Sequence, residues 1–352
     1  MHRSLLDILV DPVSKTSLTL EKPHCTSAGD ITAGLLRGGV DRNYIVSNGI
    51  PRFVLTQDAG QRQTERSFGY KWKRREAYDS EQFHDFSRQW LVKRYGFASV
   101  EEMRRFFAAR RRVLDAGCGS GYSALLWLDA GWQGTGSAEW VGADISEAID
   151  MAHERLRGIP GTHFVQADVL QLPFTTETFD VIFSEGVLHH TPSTERALKS
   201  LAPLLRPKGE MLFYVYRKKG PLREFADDYI RNLVSPLPPE RAWELLRPLT
   251  KLGQTLAELH AEVEVKEDIP YLGIKAGRYD VQRLIYWNFA KMFWNEQLGF
   301  EENHAVNCDW YGPRYAFRQT EEEVRRWCAE CGLSIFYFNT EEAGFTVRAI
   351  RE

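Results

Sequence analysis

Short apolar runs alternate with longer amphipathic stretches between residues 112 and 216, and this alternation is the clearest pattern in the chain. The runs that are typical of buried strands cover residues 113–115, 141–144, 162–166, 179–184 and 211–216. Segments of helical length separate most of them, and strands that alternate with helices pair in parallel within a doubly wound sheet. The rhythm returns with a predicted helix over 321–331 and predicted strands over 333–339 and 345–350. The pattern therefore predicts an α/β fold.

The remaining segments have other patterns. Residues 1–56 contain short strand-like runs between glycine turns, which predicts a small β-rich module. The polar stretch over 56–66 predicts a linker, and an aromatic and basic segment with helical periodicity follows it. Between residues 217 and 318 we expect a helical insertion, or lid, with helices over 222–233, 239–249, 251–263 and 280–296. We therefore divide the chain into 1–56, 57–111, 112–216, 217–318 and 319–352, and the last segment completes the core.

Composition limits the class of protein. The 352 residues include 45 Lys and Arg against 48 Asp and Glu, and the resulting net charge of −3 does not favour a nucleic-acid partner. Five cysteines are too few for a disulfide framework in a chain of this length. No apolar run reaches the roughly 18 residues that a membrane-spanning helix needs, and the first residues lack the pattern of a signal peptide. We expect a cytoplasmic protein with no membrane partner.

A glycine-rich turn follows the first strand of the core. Asp115 ends this strand, and Gly117, Gly119 and Gly121 would allow a tight turn and close approach of a ligand to the backbone. Asp144 ends the second strand, where its carboxylate could accept two hydrogen bonds from a ribose diol. Asp168 ends the third, in a position to meet an exocyclic amine. Because the carboxyl ends of such strands share one crevice, these residues predict a nucleotide-like cofactor.

Five motifs in this order resemble the class I S-adenosylmethionine-dependent methyltransferases of the type-11-like group. They are DAGCGSG at 115–121, VGADIS at 141–146, ADVLQLPF at 167–174, FDVIFSEGVLHHT at 179–191 and LLRPKGEMLF at 204–213. The resemblance is close over 112–216 and looser over 320–351. It implies a Rossmann-like seven-stranded sheet and methyl transfer by in-line displacement, which gives S-adenosylhomocysteine. The competing interpretation, a dinucleotide enzyme, fits less well because Gly121 comes one residue early for its Gly-x-Gly-x-x-Gly pattern.

The resemblance also implies which residues bind S-adenosylmethionine. They are Asp115, Gly117, Cys118, Gly119, Ser120, Asp144, Ile145, Asp168, Val169, Ser184 and Glu185. The separation between Asp115 and Asp144 is longer than in compact units of this kind, so we expect an inserted loop over 131–139. An acid at a strand end can equally shape a turn, with Ser146 as the helix cap.

Methyl transfer needs an aligned acceptor, a dry site and, for some acceptors, a base. The candidate catalytic residues are His190, His189 and Glu185, although the histidine pair could instead cap the strand, and a thiol, amine or acidic phenol needs no base. The candidate substrate-binding residues are Tyr70, Trp72, Tyr216, Trp310, Tyr311, Arg314 and Tyr315. Aromatic walls with one arginine suit a planar or acyl ligand that carries an anionic group, although these aromatic residues could simply pack helices on the core.

The N-terminal module resembles the small zinc-ribbon-like domain that activates certain tRNA and protein methyltransferases. Only Cys25 falls within it, and Asp11 stands in the region where metal-binding cysteines occur, so we expect no metal there. The module could then be a structural or dimer-forming platform. Cys328 and Cys331 lie in a predicted amphipathic helix with no second ligand pair near them in the sequence, which favours two packed thiols.

Together these patterns predict a cytoplasmic methyltransferase that acts on a small organic molecule, because a deep lid encloses small ligands better than macromolecules. Two alternatives stay open. One is a tRNA or protein methyltransferase that uses the N-terminal module for substrate or partner binding. The other is a cofactor-binding fold with a different catalytic activity or none. A homodimer is compatible with each of them.

Overall fold

The computed structural model describes residues 1–39, 42–54, 58–75, 78–128, 132 and 138–352. The strands are β1 Thr19–Cys25, β2 Ile31–Arg37, β3 Asn43–Ser47, β4 Ile50–Arg52, β5 Arg112–Ala116, β6 Glu139–Asp144, β7 Thr162–Gln166, β8 Phe179–Glu185, β9 Leu205–Tyr216, β10 Glu262–Val265, β11 Gly277–Asp280, β12 Leu333–Thr340 and β13 Gly344–Arg351. The helices are α1 Ala59–Lys73, α2 Glu81–Tyr95, α3 Val100–Ala108, α4 Tyr122–Trp127, α5 Ala148–Leu156, α6 Thr194–Leu201, α7 Pro221–Val234, α8 Pro239–Glu258, α9 Val281–Asn288, α10 Phe300–Tyr311 and α11 Glu321–Glu330.

The core is a doubly wound sheet, as the sequence predicts. Strands β7, β6, β5, β8 and β9 lie side by side in this order and are parallel. Strand β13 pairs antiparallel with β9, and β12 pairs antiparallel with β13 at the edge. The order of the strands reverses at β5, between β6 and β8, and this is the point where α/β sheets of this kind bind ligands.

Among the described residues the sheet has eleven strands, because the N-terminal module extends the predicted seven-stranded core. Strands β1 to β4 form antiparallel pairs, and β4 pairs in parallel with β7 through Arg52 and Gln166. The main-chain N–H of Phe53 also donates to the oxygen of Gln166 at 2.7 Å. Leu5 and Ile31 of the module share one buried apolar cluster with the core strands. Residue patterns predict strands but do not specify which edge a separate module joins.

Asp11 organises the first turn of the module. Its buried carboxylate accepts hydrogen bonds from the main-chain N–H groups of Val13 and Ser14 at 2.9 and 2.7 Å, and from the Tyr44 hydroxyl at 3.0 Å. Arg42 forms an ion pair with it at 3.1 Å. Burial alone would raise the pKa of Asp11, but the hydrogen bonds outweigh it and lower the pKa to about 2. Within the described ranges, no three His, Cys, Asp or Glu side chains are grouped as a metal site would require.

The predicted linker over 56–66 is wrong for most of its length, because residues from Ala59 onward form α1. Asp58 caps this helix, and its carboxylate accepts a hydrogen bond from the main-chain N–H of Gln61 at 2.6 Å. The segment looks like a linker in the sequence because the face of α1 that turns inward is polar. Gln61 and Thr64 on that face are buried.

The lid between β9 and α11 contains four helices and the hairpin of β10 and β11. The two helices predicted over 239–249 and 251–263 are one helix, α8, which continues through Pro248 and packs its Trp243 and Leu246 against α10. The helix predicted over 280–296 ends at Asn288. Asn303 and Asn307 of α10 then bind the main chain that follows, accepting hydrogen bonds from the N–H groups of residues 295 and 293.

The loop expected over 131–139 lies mostly outside the described residues, which include only 132, 138 and 139 of it. Among the helices that are described, none combines the length and the apolar character that a bilayer crossing requires. Cys328 and Cys331 are reduced and lie at the end of α11, where Cys328 is part of the main apolar cluster. This position agrees with the expectation of packed thiols.

Candidate functional site

The glycine-rich turn after β5 needs glycine for reasons of space as well as conformation. Gly117 and Gly119 have φ angles of 84° and 54°, in the left-handed region that disfavours other residues. A Cβ atom at Gly117 would lie 2.3 Å from the Val187 side chain, and one at Gly119 would lie 2.7 Å from the indole ring of Trp72. The turn is therefore covered by neighbouring side chains that leave no room for a larger residue.

A small cavity of about 100 Å³ opens beside this turn, and we call it the carboxylate cavity. Its lining from the sheet includes Gly117, Asp144, Ile145, Ser146, Asp168, Val169 and Glu185, and its lining from α1 comprises Gln61, Thr64, Glu65, Phe68 and Trp72. The structure thus brings together most of the predicted cofactor-binding residues. It adds one face of α1, which the sequence analysis did not assign to the site.

Asp144 both shapes the turn and faces the cavity. Its carboxylate accepts hydrogen bonds from the main-chain N–H of Gly119 at 2.8 Å and from the N–H and hydroxyl of Ser146 at 2.8 and 2.6 Å. Burial raises the pKa of Asp144, and these hydrogen bonds oppose the shift. Asp144 can therefore shape the turn and contact a ligand at the same time, so the two interpretations of this acid do not exclude each other.

Two further carboxyl groups face the same cavity. Asp168 accepts a hydrogen bond from the N–H of Leu170 at 2.9 Å, and burial raises its pKa. Glu65 of α1 also lines the cavity, where burial and the nearby charges of Asp144 and Glu147 raise its pKa to about 7. Carboxyl groups in such positions can accept hydrogen bonds from hydroxyl and amine donors. The spacing of residues 61, 64, 65, 68 and 72, typical of one helix face, is the sequence signal that could have identified Glu65.

Five predicted cofactor residues do not line the carboxylate cavity, and one of them, Gly119, lies in the glycine turn itself. Asp115 is 2% exposed, and its Oδ2 atom has no hydrogen-bond partner among the described residues. Burial and the charge of Asp144 raise the pKa of Asp115 to about 8. Ser120 is buried, and the Ser184 hydroxyl donates to the main-chain oxygen of residue 116 at 2.9 Å, so both support the turn from behind. Cys118 lines the neighbouring cavity instead.

The neighbouring cavity is larger, about 510 Å³, and we call it the aromatic cavity. It meets the carboxylate cavity at six residues that line both, namely Phe68, Trp72, Gly117, Glu185, Gly186 and His190. Its other aromatic walls come from α2, β9 and the lid and include Phe83, Trp90, Tyr214, Tyr216, Tyr286, Trp287 and Trp310. Trp72, Tyr216 and Trp310 among the predicted substrate-binding residues are thus in this cavity. A volume of this size suits a small organic molecule.

His190 stands where the two cavities meet. Its Nδ1 atom lies 2.6 Å from the main-chain oxygen of Tyr315, and the Phe68 ring packs edge-on against the imidazole with centroids 4.8 Å apart. Because a carbonyl oxygen can only accept, Nδ1 carries the proton and Nε2 keeps its free electron pair. Burial lowers the pKa of His190 to about 3. The imidazole is therefore neutral at physiological pH and unprotonated at Nε2, and a pKa this low makes it a weak base.

His189 points elsewhere, and the structure places it outside both cavities. The ring is fully buried and lies against Tyr216, with centroids 3.7 Å apart. Neither ring nitrogen has a hydrogen-bond partner among the residues described, and burial lowers the pKa of His189 well below its usual value. These contacts are those of a packing residue, so we do not assign His189 to the chemistry.

Glu185 lines both cavities, but its carboxylate is already paired. Arg94 of α2 donates to one oxygen at 3.0 Å, and the Tyr95 hydroxyl donates to the other at 2.6 Å. Burial raises the pKa of Glu185, whereas the charge of Arg94 opposes the shift. With both oxygens occupied, Glu185 fixes α2 against the sheet and is poorly placed to accept a proton.

Four predicted substrate residues lie outside the aromatic cavity. Tyr70 packs edge-on against Trp243, and the buried Tyr311 donates its hydroxyl proton to Asp227 at 2.8 Å. Arg314 is exposed, and its guanidinium donates to Asn232 at 3.1 Å. The fourth, Tyr315, turns its hydroxyl to Asp58 at 2.9 Å, and its contribution to the site is the main-chain oxygen that holds His190.

Comparisons with known proteins identify a methyltransferase domain in the core of the chain. Residues 114–213 match the family model described as a methyltransferase domain. Malonyl-[acyl-carrier protein] O-methyltransferase of Enterobacter lignolyticus is 33% identical over 117 residues, which are 33% of this chain and 43% of that protein. The tRNA U34 carboxymethyltransferase of Pseudoalteromonas atlantica is 38% identical over 105 residues, or 29% of this chain and 31% of that protein.

A phthiotriol/phenolphthiotriol dimycocerosates methyltransferase of Mycobacterium ulcerans is 30% identical over 118 residues, or 34% of this chain and 42% of that protein. The chain thus spans less than half of the length of these three relatives. Among solved structures, a SAM-dependent methyltransferase from Aquifex aeolicus aligns over 74% of this chain and 92% of its own, with 13% identity and a TM-score of 0.37. The family model covers the chain from β5 to β9, and α1, α2 and the lid lie outside it.

Proposed function

We propose that this chain, a member of the class I S-adenosylmethionine-dependent methyltransferases, transfers a methyl group to a small organic acceptor. The observation that carries the proposal is the junction of the two cavities at Gly117, Glu185 and His190. The carboxylate cavity would hold the cofactor, and the aromatic cavity would hold the acceptor. S-adenosylmethionine, when bound, supplies a methyl group that its sulfonium sulfur has already activated.

The residues of the carboxylate cavity fit this cofactor. Asp144 and Glu65 would accept hydrogen bonds from the ribose hydroxyls, and Asp168 would accept one from the adenine amine. The orphaned Oδ2 atom of buried Asp115 is an acceptor beside the glycine turn. Gly117 lines both cavities, and the Val187 side chain occupies the space that a side chain at Gly117 would need.

His190 would take the proton from an acceptor hydroxyl. Its free Nε2 electron pair suits this role even though the imidazole is a weak base, because the acceptor oxygen becomes strongly acidic as the methyl group is added to it. The bond to Tyr315 together with the Phe68 ring keeps the imidazole in one orientation. The aromatic walls would exclude water and hold a flat molecule against the junction. If the acceptor is a thiol, an amine or an acidic phenol, the same histidine only orients it.

A small acceptor is favoured because α1 and the lid both contribute walls to the aromatic cavity, so that a macromolecule would have to enter between them. The second candidate is a tRNA methyltransferase, favoured by the match to a relative named tRNA U34 carboxymethyltransferase, which also has a tRNA as its substrate. Tight tRNA binding that weakens steeply with salt would support the second candidate, since phosphate contacts release counterions. Binding of tRNA that is weak at all salt concentrations would leave the small acceptor.

The first test is calorimetric titration with S-adenosylmethionine and S-adenosylhomocysteine. We expect micromolar binding that Asp144→Ala weakens by a few kcal/mol, about two orders of magnitude in affinity. Ser146→Ala is the matched control, because it removes one donor to Asp144 but leaves the carboxylate in the cavity. Binding of neither ligand to the unaltered protein would contradict the proposal, as would equal losses in the two variants. The cytoplasmic location, the segment boundaries and the homodimer stay predictions.

A further inference from the structure

One end of the aromatic cavity carries cations that lack a carboxylate partner. Lys219 follows β9, Arg283 lies in α9, and Lys291 follows α9, and all three line this cavity but not the carboxylate cavity. None of them forms an ion pair with a residue of the described part of the chain. Other cations in the cavity wall are paired: Lys71 with Asp309 at 2.5 Å, Arg94 with Glu185 at 3.0 Å and Arg223 with Asp227 at 2.7 Å.

Lys291 is the most enclosed of the three. Its side chain is 7% exposed, and its Nζ atom lies 4.8 Å from the centre of the Trp310 ring without a hydrogen-bond partner in the described ranges. Burial and the nearby guanidinium of Arg223 lower the pKa of Lys291 to about 7. Asp309 and Asp227 oppose this shift, but each of them already forms an ion pair with another cation. A buried ammonium group without a counter-ion of its own is costly, so this position favours the arrival of a negative charge.

Lys219 and Arg283 add positive charge at the same end of the aromatic cavity. The Lys219 amine donates to the main-chain oxygens of Glu342 and Ala343, the second at 2.9 Å, and these neutral acceptors do not balance its charge. Burial and the charge of Arg223 lower its pKa to about 6, and Lys291 acts in the same direction. Arg283 donates to the main-chain oxygen of residue 294 at 3.2 Å.

We propose that Lys219, Arg283 and Lys291 form an anion-binding end of the aromatic cavity, which takes a carboxylate or phosphate group of the acceptor. This inference rests on the proposed function and names its substrate class. The acceptor is a flat, largely apolar molecule with an anionic group at one end and the methylated atom at the other, near His190. Tyr286 and Trp310 line the cavity beside these cations and provide surfaces for the apolar body.

The experiment uses the full chain saturated with S-adenosylhomocysteine and three probes of similar shape. These are 6-hydroxy-2-naphthoate, 2-naphthyl phosphate and the neutral 6-hydroxy-2-naphthamide, each titrated by calorimetry. We expect at least one anion to bind tenfold or more tightly than the amide, and the stronger anion identifies the carboxylate or the phosphate as the recognised group. Lys291→Met and Lys219→Met should each reduce this preference at least fivefold. Lys218→Met, which removes an exposed neighbouring charge, should preserve it.

Equal binding of anions and amide, no binding of either anion, or a preference that survives both Lys291→Met and Lys219→Met would overturn the inference. Affinity for S-adenosylhomocysteine, measured in every sample, reports whether each variant is folded. If the unaltered protein does not bind this ligand, the proposed function itself fails. If it binds the ligand but does not discriminate among the probes, only the anion-binding end is refuted.

Discussion

The Nδ1 atom of His190 and the main-chain oxygen of Tyr315 lie 2.6 Å apart, although 125 positions separate the two residues in the chain. The histidine follows β8, and the tyrosine lies where the lid returns to the core after α10. The segment that connects the lid to the core thus fixes the tautomer of His190. It leaves Nε2 as the atom that faces the cavities.

Replacing His190 by alanine should therefore reduce the rate of methyl transfer to a hydroxyl acceptor by about 10²-fold, the lower end of what a positioned base contributes, because its low pKa makes His190 a weak base. Affinity for S-adenosylhomocysteine should change little. His189→Phe is the matched comparison, because His189 packs against Tyr216 outside the cavities, and its effect on kcat should be much smaller. Single-turnover kinetics with both variants measures the difference, and equal losses would contradict the role of His190.

Acid should also destabilise the protein through His190. Its pKa is about 3 in the folded chain and about 6.5 when unfolded, so the unfolded state binds more protons between these values. Stability is therefore retained above about pH 6.5 and falls as the pH decreases toward 3. Urea unfolding between pH 4 and 8 should show a smaller decrease in His190→Phe than in the unaltered protein. An unchanged pH dependence in this variant would argue against a buried neutral imidazole.

The position of the Trp72 ring beside Gly119 gives the next prediction. Gly119→Ala should destabilise the fold by about 1–2 kcal/mol for the left-handed backbone alone, and the collision with the indole ring adds to this. The double variant Gly119→Ala/Trp72→Ala should recover part of the loss, with a coupling free energy of about 0.5–3 kcal/mol. Gly69→Ala is the control in the same helix as Trp72, since a Cβ there meets nothing within 4 Å.

Thermal unfolding of the unaltered protein, Gly119→Ala, Trp72→Ala and the double variant measures this coupling. Gly69→Ala should stabilise the chain by about 0.5–1 kcal/mol, as expected for glycine in a helix interior. Additive effects of the two substitutions at Gly119 and Trp72 would mean that α1 does not lie over the glycine turn. The cofactor affinity of Gly119→Ala should also fall, because the turn would shift away from its carboxylate partner Asp144.

The core fold and the glycine turn could be predicted because their signals are local. The strand expected over 162–166 forms as Thr162–Gln166, and the acid that ends β6 accepts a hydrogen bond from the glycine turn. The first part of α1, in contrast, was predicted as a linker. Its inner face lines the carboxylate cavity and carries polar residues there, so the usual apolar pattern of a buried helix face is missing. Glu65 was missed for this reason.

The division of roles between His189 and His190 could not be predicted, because adjacent residues of one type look alike in a sequence. What separates them is a carbonyl oxygen from the end of the lid, which only the tertiary structure brings near. Lys291 was missed for a related reason. Its segment was expected to continue a helix, whereas the side chains of α10 bind the main chain there and turn this lysine inward.

Glu65 gives a prediction with the opposite pH dependence to His190. Its pKa is about 7 in the folded chain and about 4.3 when unfolded, so the folded state binds more protons between these values. Stability through this group is present below about pH 4 and decreases as the pH rises toward 7. Glu65→Gln should therefore stabilise the protein at pH 8 by about 1–2 kcal/mol, a figure reduced for the partial exposure of the side chain.

The measurement is the melting temperature at pH 5 and pH 8. The control is Glu154→Gln, which removes an exposed carboxylate on α5. It should change the melting temperature by the same amount at both pH values. Cofactor binding tests the placement further, because a glutamine at position 65 still offers a carbonyl oxygen to a hydroxyl donor. If Glu65→Gln is no more stable than the control at pH 8, the carboxyl group is not crowded by Asp144 as the structure indicates.

Asp11 provides the last prediction, on the N-terminal module. Asp11→Ala should lower the free energy of unfolding by about 3 kcal/mol, because it leaves buried donors unsatisfied and separates Arg42 from its counter-ion. Since folding lowers the pKa of Asp11 from about 3.9 to about 2, its stabilisation is complete above pH 4 and is lost as the pH falls toward 2. Asp7→Asn, at an exposed position of the same module, is the control.

The module also joins the core sheet through the pairing of Arg52 with Gln166. Unfolding of the module should therefore disturb the carboxylate cavity. Arg52 forms an ion pair with Asp150 of α5, the helix that follows Asp144, at 2.6 Å. We therefore expect Asp11→Ala to unfold in one transition with the core, at a lower urea concentration than the unaltered protein, and to weaken S-adenosylhomocysteine binding. Asp7→Asn should change neither the midpoint nor the affinity. If the protein instead unfolds in two transitions, and cofactor affinity is unchanged after the first, the module folds independently of the core. The core then forms the carboxylate cavity without it.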